Sequence, residues 1–186
     1  MADMKNDIAY ILADAEEIET ICKQLGEKIS EDYKDKNIII VSVLKGAFVF
    51  CADIFRHISI PCAIDFMAIS SYGSGTTPGA VRLIKDLGVD IAGMDVLIVE
   101  DILDSGKSLS YTIELLKARK PASIKICTLL DKPDRRQAPI TADYVGKVIP
   151  DEFVVGYGLD YDEKYRNLPY IGVLKPEVYS DEIQTY

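Results

Sequence analysis

Apolar runs recur along the chain, and each ends in small, charged or glycine residues. Ile38-Ile39-Ile40-Val41-Ser42-Val43-Leu44, Cys62 to Ile69, Val96-Leu97-Ile98-Val99 and Ile124 to Leu130 are short and almost continuously apolar. That is the pattern of parallel strands buried on both faces. Between them the period changes. Ala47, Phe50, Cys51, Ile54 and Phe55 fall at i, i+3, i+4, i+7 and i+8, and Leu109, Ile113 and Leu116 at i, i+4 and i+7. A helix therefore follows the first and the third of these strands. Ile18, Ile21, Cys22, Leu25 and Ile29 stripe one face of a helix over about Ala15 to Tyr33, with Asp14 placed to cap it. Ile8 to Leu12, Val81 to Leu87, Tyr144 to Ile149 and Phe153 to Tyr157 read as further strand segments. Strands alternating with helices predict an α/β fold with a parallel sheet.

In such a sheet ligands bind beyond the carboxyl ends of the strands. The third strand delivers Glu100-Asp101-Ile102-Leu103-Asp104 and then Ser105-Gly106-Lys107-Ser108 to the mouth of a helix. A helix N-terminus with free backbone N–H groups binds phosphate. The segment predicts a phosphate at Ser105 to Ser108 and a metal or sugar diol beside Glu100 and Asp101. It is not a P-loop, because the position that motif reserves for its first glycine is Asp101. A ligand-free polar turn is the plainer alternative, but three acids in five residues after an apolar strand speak against it.

Two other strand ends carry cations. Lys45-Gly46 follows the first strand, and Asp131-Lys132-Pro133 the fourth. Either lysine could equally be a solvated surface charge. Residues Ser70 to Ala80, rich in Ser, Gly and Thr, read as a long loop of the kind used for lids. Asp134-Arg135-Arg136 reads as an exposed charged turn, and Phe153 as a core aromatic.

Composition narrows the partners. The chain has 186 residues, 48% hydrophobic and 27% charged, which fits one domain over residues 1–186 with a real core. A net charge of −9 argues against nucleic acid and anionic membranes, and makes Mg²⁺ the natural bridge between carboxylates and phosphate oxygens. The four cysteines lie in apolar runs without metal-ligand spacing, as small buried hydrophobes of a reducing compartment do. The single histidine, His57, has no partner motif and is expected to be structural. The first residues lack the apolar core of a signal peptide, and no apolar run is long enough to span a bilayer, so the expected location is the cytoplasm.

Val99-Glu100-Asp101-Ile102-Leu103-Asp104-Ser105-Gly106-Lys107-Ser108 resembles the phosphoribosyl-pyrophosphate motif of the type I phosphoribosyltransferases, in particular their 6-oxopurine (hypoxanthine-guanine) branch. Leu44-Lys45-Gly46, Asp131-Lys132-Pro133 and Phe153-Val154-Val155-Gly156-Tyr157-Gly158-Leu159-Asp160 follow in the family's order, so the resemblance spans about Ile8 to Tyr179. It implies a twisted, mainly parallel sheet flanked by helices, with a core of about residues 36–160 and a small hood from about 1–14 and 161–186. It also implies transfer of 5-phosphoribosyl from phosphoribosyl pyrophosphate to N9 of hypoxanthine or guanine, with Mg²⁺, in a homodimer or homotetramer.

The same resemblance assigns roles. The Leu44-Lys45-Gly46 turn, whose first peptide is often cis in the family, and Arg166 bind the pyrophosphate. Ser71 and Tyr72 belong to a lid near it. Glu100 and Asp101 hold the ribose hydroxyls or the metal, and Asp160 a metal or metal-bound water. Ser105, Gly106, Lys107 and Ser108 anchor the 5-phosphate, and Asp104 is the general base near N7. Lys132 donates to the 6-oxo group, Phe153 stacks on the base, and the Val154 backbone reads its edge. The alternatives are a regulator of the same fold that binds nucleotide or RNA without catalysis and, more weakly, a kinase or ATPase.

Overall fold

The structure, a computed structural model, describes residues 4–71 and 81–183. The chain runs through β1 (Ile8–Ala13), α1 (Ala15–Asp32), β2 (Ile38–Leu44), α2 (Phe48–His57), β3 (Ala63–Ser71) and β4 (Val81–Lys85). It continues through β5 (Asp95–Leu103), α3 (Lys107–Lys117), β6 (Ser123–Asp131), β7 (Tyr144–Val148), β8 (Val154–Val155), β9 (Ile171–Leu174) and α4 (Pro176–Ile183). The expected elements are there, with α1 capped by Asp14, whose carboxylate accepts from Glu17 N–H at 2.9 Å.

Six strands form one sheet in the order β4-β3-β2-β5-β6-β7. Every pair is parallel except β3 with β4. The chain moves from β2 to one neighbour, β3, and later returns to the other, β5. The strand order therefore reverses between β2 and β5, which is where an open α/β sheet leaves a crevice. Side chains of successive strand residues point to opposite faces. Ile38, Ile40, Leu97 and Val99 accordingly pack with Ile18, Cys22 and Ile29 of α1 and Phe50 and Ile54 of α2. Ile39, Val41, Val96 and Ile98 pack with Leu109, Ile113 and Leu116 of α3 on the other side. A sheet covered on both faces explains why its central strands are apolar throughout.

The other three strands form a small antiparallel sheet, β1-β9-β8, the hood. The structure moves one boundary. Phe153 to Tyr157 reads as a segment of the core, yet only Val154 and Val155 are extended, and they pair with Val173 and Gly172 of β9 in the hood. Left-handed conformations at Gly156, Tyr157 and Gly158 end the strand at once. Tyr72 and most of the expected lid lie outside the described residues. The strand expected over Val81 to Leu87 stops at Lys85, because Asp86 turns its carboxylate onto Leu87 N–H and pairs with Arg119.

His57 is structural as expected. Its Nε2 meets Glu19 at 3.0 Å, and its backbone lies so close to α1 that only Gly26 fits opposite it. The four cysteines form no disulfide. Among the described residues no helix is long and apolar enough to cross a membrane.

Candidate active site

Three parallel strands end side by side, and each end carries chemistry. At the end of β2 the Leu44–Lys45 peptide is cis, and Gly46 follows. A Cβ on Gly46 would lie 1.8 Å from Oδ2 of Asp101, at the end of β5, so only glycine lets that carboxylate lie against the β2 turn. Gly158, with φ +101°, comes as close from the other side, where a Cβ would lie 2.1 Å from the Gly46 carbonyl oxygen. The two glycines bring the β2 turn, the β5 carboxylates and the segment after β8 into one place.

That segment presents Arg166. Its Nη1 donates to the Gly158 carbonyl at 2.8 Å, and its Nη2 lies 2.8 Å from Asp160 and 3.4 Å from Glu163. Its Nε is buried without a partner. Lys45 Nζ donates to Glu163 at 2.8 Å. The two cations expected to hold a diphosphate thus face one shared carboxylate, Glu163, in the protein by itself.

Beyond β5 the chain turns through Gly106, φ +78°, into α3. Gly106 at its N-cap offers no side chain, and only Ser105 Oγ reaches the first turn, 3.5 Å from Lys107 N, so backbone N–H groups are left for a ligand. A cavity of about 140 Å³ lies there, lined by Glu100, Asp104, Ser105, Gly106 and Ser108. A larger one of about 810 Å³ is lined by Asp104, Lys132, Arg135, Phe153, Val154, Leu159, Asp160 and Tyr179. Ile102 and Asp104 border both, and Asp104 is the only one of the two that can exchange a proton. Its Oδ1 accepts from Arg135 Nε at 3.3 Å.

Lys132 is 7% exposed and donates from Nζ to the Glu152 carbonyl at 2.5 Å. Burial holds its pKa below the ordinary lysine value, against the pull of Asp104 and Asp151. Of the other expected residues, Lys107 is exposed and borders neither cavity, while Ser71 closes β3 opposite Val81.

The reading of Asp134-Arg135-Arg136 as an exposed turn holds for Asp134 and Arg135, which are exposed, and fails for Arg136. Arg136 is largely buried. It donates from Nε to the Asp104 carbonyl at 2.8 Å, from Nη1 to the Ile140 carbonyl at 2.9 Å and from Nη2 to the Leu103 carbonyl at 3.0 Å, and it pairs with Asp131. One guanidinium thus ties the turn after β5 to the end of β6. Three of its acceptors are backbone carbonyls, which leave no mark on a sequence.

Glu100 and Asp101 are the two acids with most to gain from a cation. Burial, and then the neighbouring Asp101, pushes Glu100 well above the carboxylate range. Burial pushes Asp101 up to about 6, against hydrogen bonds from backbone N–H groups and the field of Arg166. Among the described residues no three His, Cys, Asp or Glu converge as a metal cluster. Asp160 is already engaged, by Arg166 on Oδ1 and by Glu163 N–H on Oδ2. Glu100 and Asp101 suit a Mg²⁺ ion that arrives with phosphate oxygens as its other ligands. Asp160 suits the orienting of Arg166.

The raised Asp101 gives a stability test. Its folded pKa lies above the ordinary 3.8, so its protonation stabilises the fold fully below about pH 4, and that contribution is lost as pH rises through 6. Asp101→Asn, without metal, is expected to raise Tm at pH 7.5 and to change it little at pH 4. Equal shifts at both pH values in thermal melts would show that ionisation is not the cause.

The family model of the phosphoribosyl transferase domain matches residues 11–162. The hypoxanthine-guanine phosphoribosyltransferase of Staphylococcus aureus is 55% identical over 96% of this chain and 100% of its own length. That of Staphylococcus epidermidis is 56% identical over 95% and 99%. A crystal structure of a hypoxanthine phosphoribosyltransferase from Staphylococcus aureus superposes with a TM-score of 0.91 at 55% identity, covering 96% of this chain and 98% of that one. One from Bacillus anthracis does so with 0.84 at 46% identity, covering 90% and 99%. With this likeness along nearly all of its length, and with the motif after β5 set at a crevice between parallel strands, the chain belongs to the phosphoribosyltransferase family, in its hypoxanthine-guanine branch.

Proposed function

We propose that this protein is a purine salvage enzyme. It moves the 5-phosphoribosyl group from phosphoribosyl pyrophosphate to N9 of hypoxanthine or guanine, releasing pyrophosphate. The observation that carries this reading is the position of Asp104 on the border of both cavities. The smaller cavity, at the uncapped helix mouth, takes the 5-phosphate through Ser105, Gly106, Ser108 and the backbone of Lys107. The larger one takes the base, with Phe153 against its face, the Val154 backbone at its edge and Lys132 donating to the 6-oxo group. The reacting carbon then lies between them, beside Asp104.

The bond from the anomeric carbon to the diphosphate oxygen breaks, and a bond to N9 forms. Positive charge builds on the ribose as in glycoside cleavage. Asp104 takes the proton the purine gives up. Lys45 and Arg166 exchange Glu163 for the leaving diphosphate, whose oxygens suit an arginine fork. Glu100 and Asp101 would hold Mg²⁺, which neutralises that diphosphate when bound. Ser71 and Tyr72 belong to a lid that keeps water from the charged ribose. We place the enzyme in the cytoplasm as a homodimer or homotetramer.

The test is nucleotide formation from phosphoribosyl pyrophosphate with hypoxanthine, guanine, xanthine and adenine, with and without Mg²⁺. Metal-dependent turnover of hypoxanthine or guanine is expected. Folded protein inactive on all four would overturn the reading. Lys132→Ala checks the orientation of the base. Losing a hydrogen bond from a charged donor is expected to raise KM for the purine by about 10–100-fold, with little change for phosphoribosyl pyrophosphate. An equal rise in both constants would count against Lys132 as the reader of the 6-oxo group.

A further inference from the structure

The larger cavity has a wall that the roles above leave unused. It comes from α4, at the far end of the described chain. The Tyr179 ring lies on Phe153 with centroids 4.9 Å apart and planes 23° apart, and Tyr161 meets Phe153 edge-on at 5.5 Å and 89°. Both tyrosines line the cavity with Phe153. Phe153 itself is 38% exposed, so part of its ring stays uncovered beside these two contacts.

We infer that Tyr179 is a positioning residue for the purine. By covering one face of Phe153 it fixes the plane in which the other face meets the base. This rests on the reading of the larger cavity as the purine site. An aromatic ring has two stacking faces. With one occupied by Tyr179 and the edge held by Tyr161, Phe153 has one face left for a planar ligand and little freedom to turn away from it. Offset stacking is directional, so holding one ring of a stack in plane favours adding the next.

The helix bearing Tyr179 is itself held in place. Lys175, just before it, donates from its backbone N–H to the Asp7 carbonyl at 2.9 Å and from Nζ to the Asn6 carbonyl at 2.5 Å. Val178 and Tyr179 also pack on the apolar cluster of Tyr165, Leu168 and Leu174. The aromatic wall is thus anchored through the hood, independently of the strand ends that carry the phosphoribosyl site.

The experiment is steady-state kinetics with Tyr179→Ala, Tyr179→Leu and Tyr179→Phe. The value of one aromatic pair corresponds to about 3–10-fold in KM for the purine in the Ala and Leu variants. KM for phosphoribosyl pyrophosphate is expected to stay within twofold. Phe should restore the wild-type constant, because the ring and not the hydroxyl makes the stack. Tyr179→Leu keeps apolar bulk, so it reports on the ring even if the Ala variant folds poorly. An unchanged purine KM in the Leu variant would overturn the inference, and so would a parallel rise in both constants. A fall in purine KM would also overturn it, by showing that Tyr179 occupies the place of the base. Wild-type protein inactive on every purine would instead remove the reading beneath it.

Discussion

Asp104→Asn is expected to lower kcat by about 10²–10⁴-fold, the scale of a lost general base. Asn keeps the shape of the side chain and a carbonyl oxygen for Arg135, so KM for both substrates should change little. A loss confined to kcat means an interaction made only in the transition state. Near-wild-type kcat in Asp104→Asn would show that the proton leaves by another route.

The second large effect falls on stability. Arg136→Ala strips the Asp104 and Ile140 carbonyls of their donor, leaves the Leu103 carbonyl with the Lys132 N–H alone, and leaves Asp131 unpaired in a part-buried place. Removing one partner of such a network costs about 3–5 kcal/mol, because the abandoned acceptors have already given up water. For a domain of this size that is a fall in Tm of about 6–20 °C. Urea titration should show a lower midpoint at unchanged slope. Lys should rescue poorly, since one ammonium cannot aim at four acceptors as a planar fork does. In the residual folded protein, KM for phosphoribosyl pyrophosphate should rise, because the phosphate turn has lost its tie to β6. A melt within a degree or two of wild type would show that the turn is held by other means.

The contrast between these two residues explains what a reader of the sequence can see. Asp104 stands in a segment whose apolar strand, acids and glycine turn are contiguous, and contiguity is what a sequence displays. The same holds for the Lys45-Gly46 turn, and for β2 as a strand buried on both faces, since both follow from local residue order. Arg136 acts through backbone carbonyls contributed by residues 103, 104 and 140, so nothing in the residue types near it signals the role. Tyr179 and Phe153 stand 26 positions apart and meet only because β8 and β9 pair. Glu163 sits between Lys45 and Arg166 only because Gly46 and Gly158 let two turns touch, a contact defined by absent side chains. The hood boundary leaves no mark on the sequence for a similar reason. A two-residue strand followed by left-handed residues offers no periodicity to detect.

The division of the site between two sheets separates what the enzyme does from what it does it to. In the proposed reading, 5-phosphate binding and proton transfer are concentrated in one short strand–turn–helix segment, residues 100–108, while Lys45 and Arg166 meet the diphosphate from the β2 turn and the segment after β8. The larger cavity proposed for the base is walled by residues between 151 and 161 and by Tyr179 on the hood side, and by Asp104, Lys132 and Arg135 from beyond the ends of β5 and β6. Changes in the hood can therefore reshape the choice of base while the transfer chemistry stays as it is. A lineage built on this plan can try new acceptors without rebuilding its catalyst, and an engineer seeking a different nucleobase should begin at the hood.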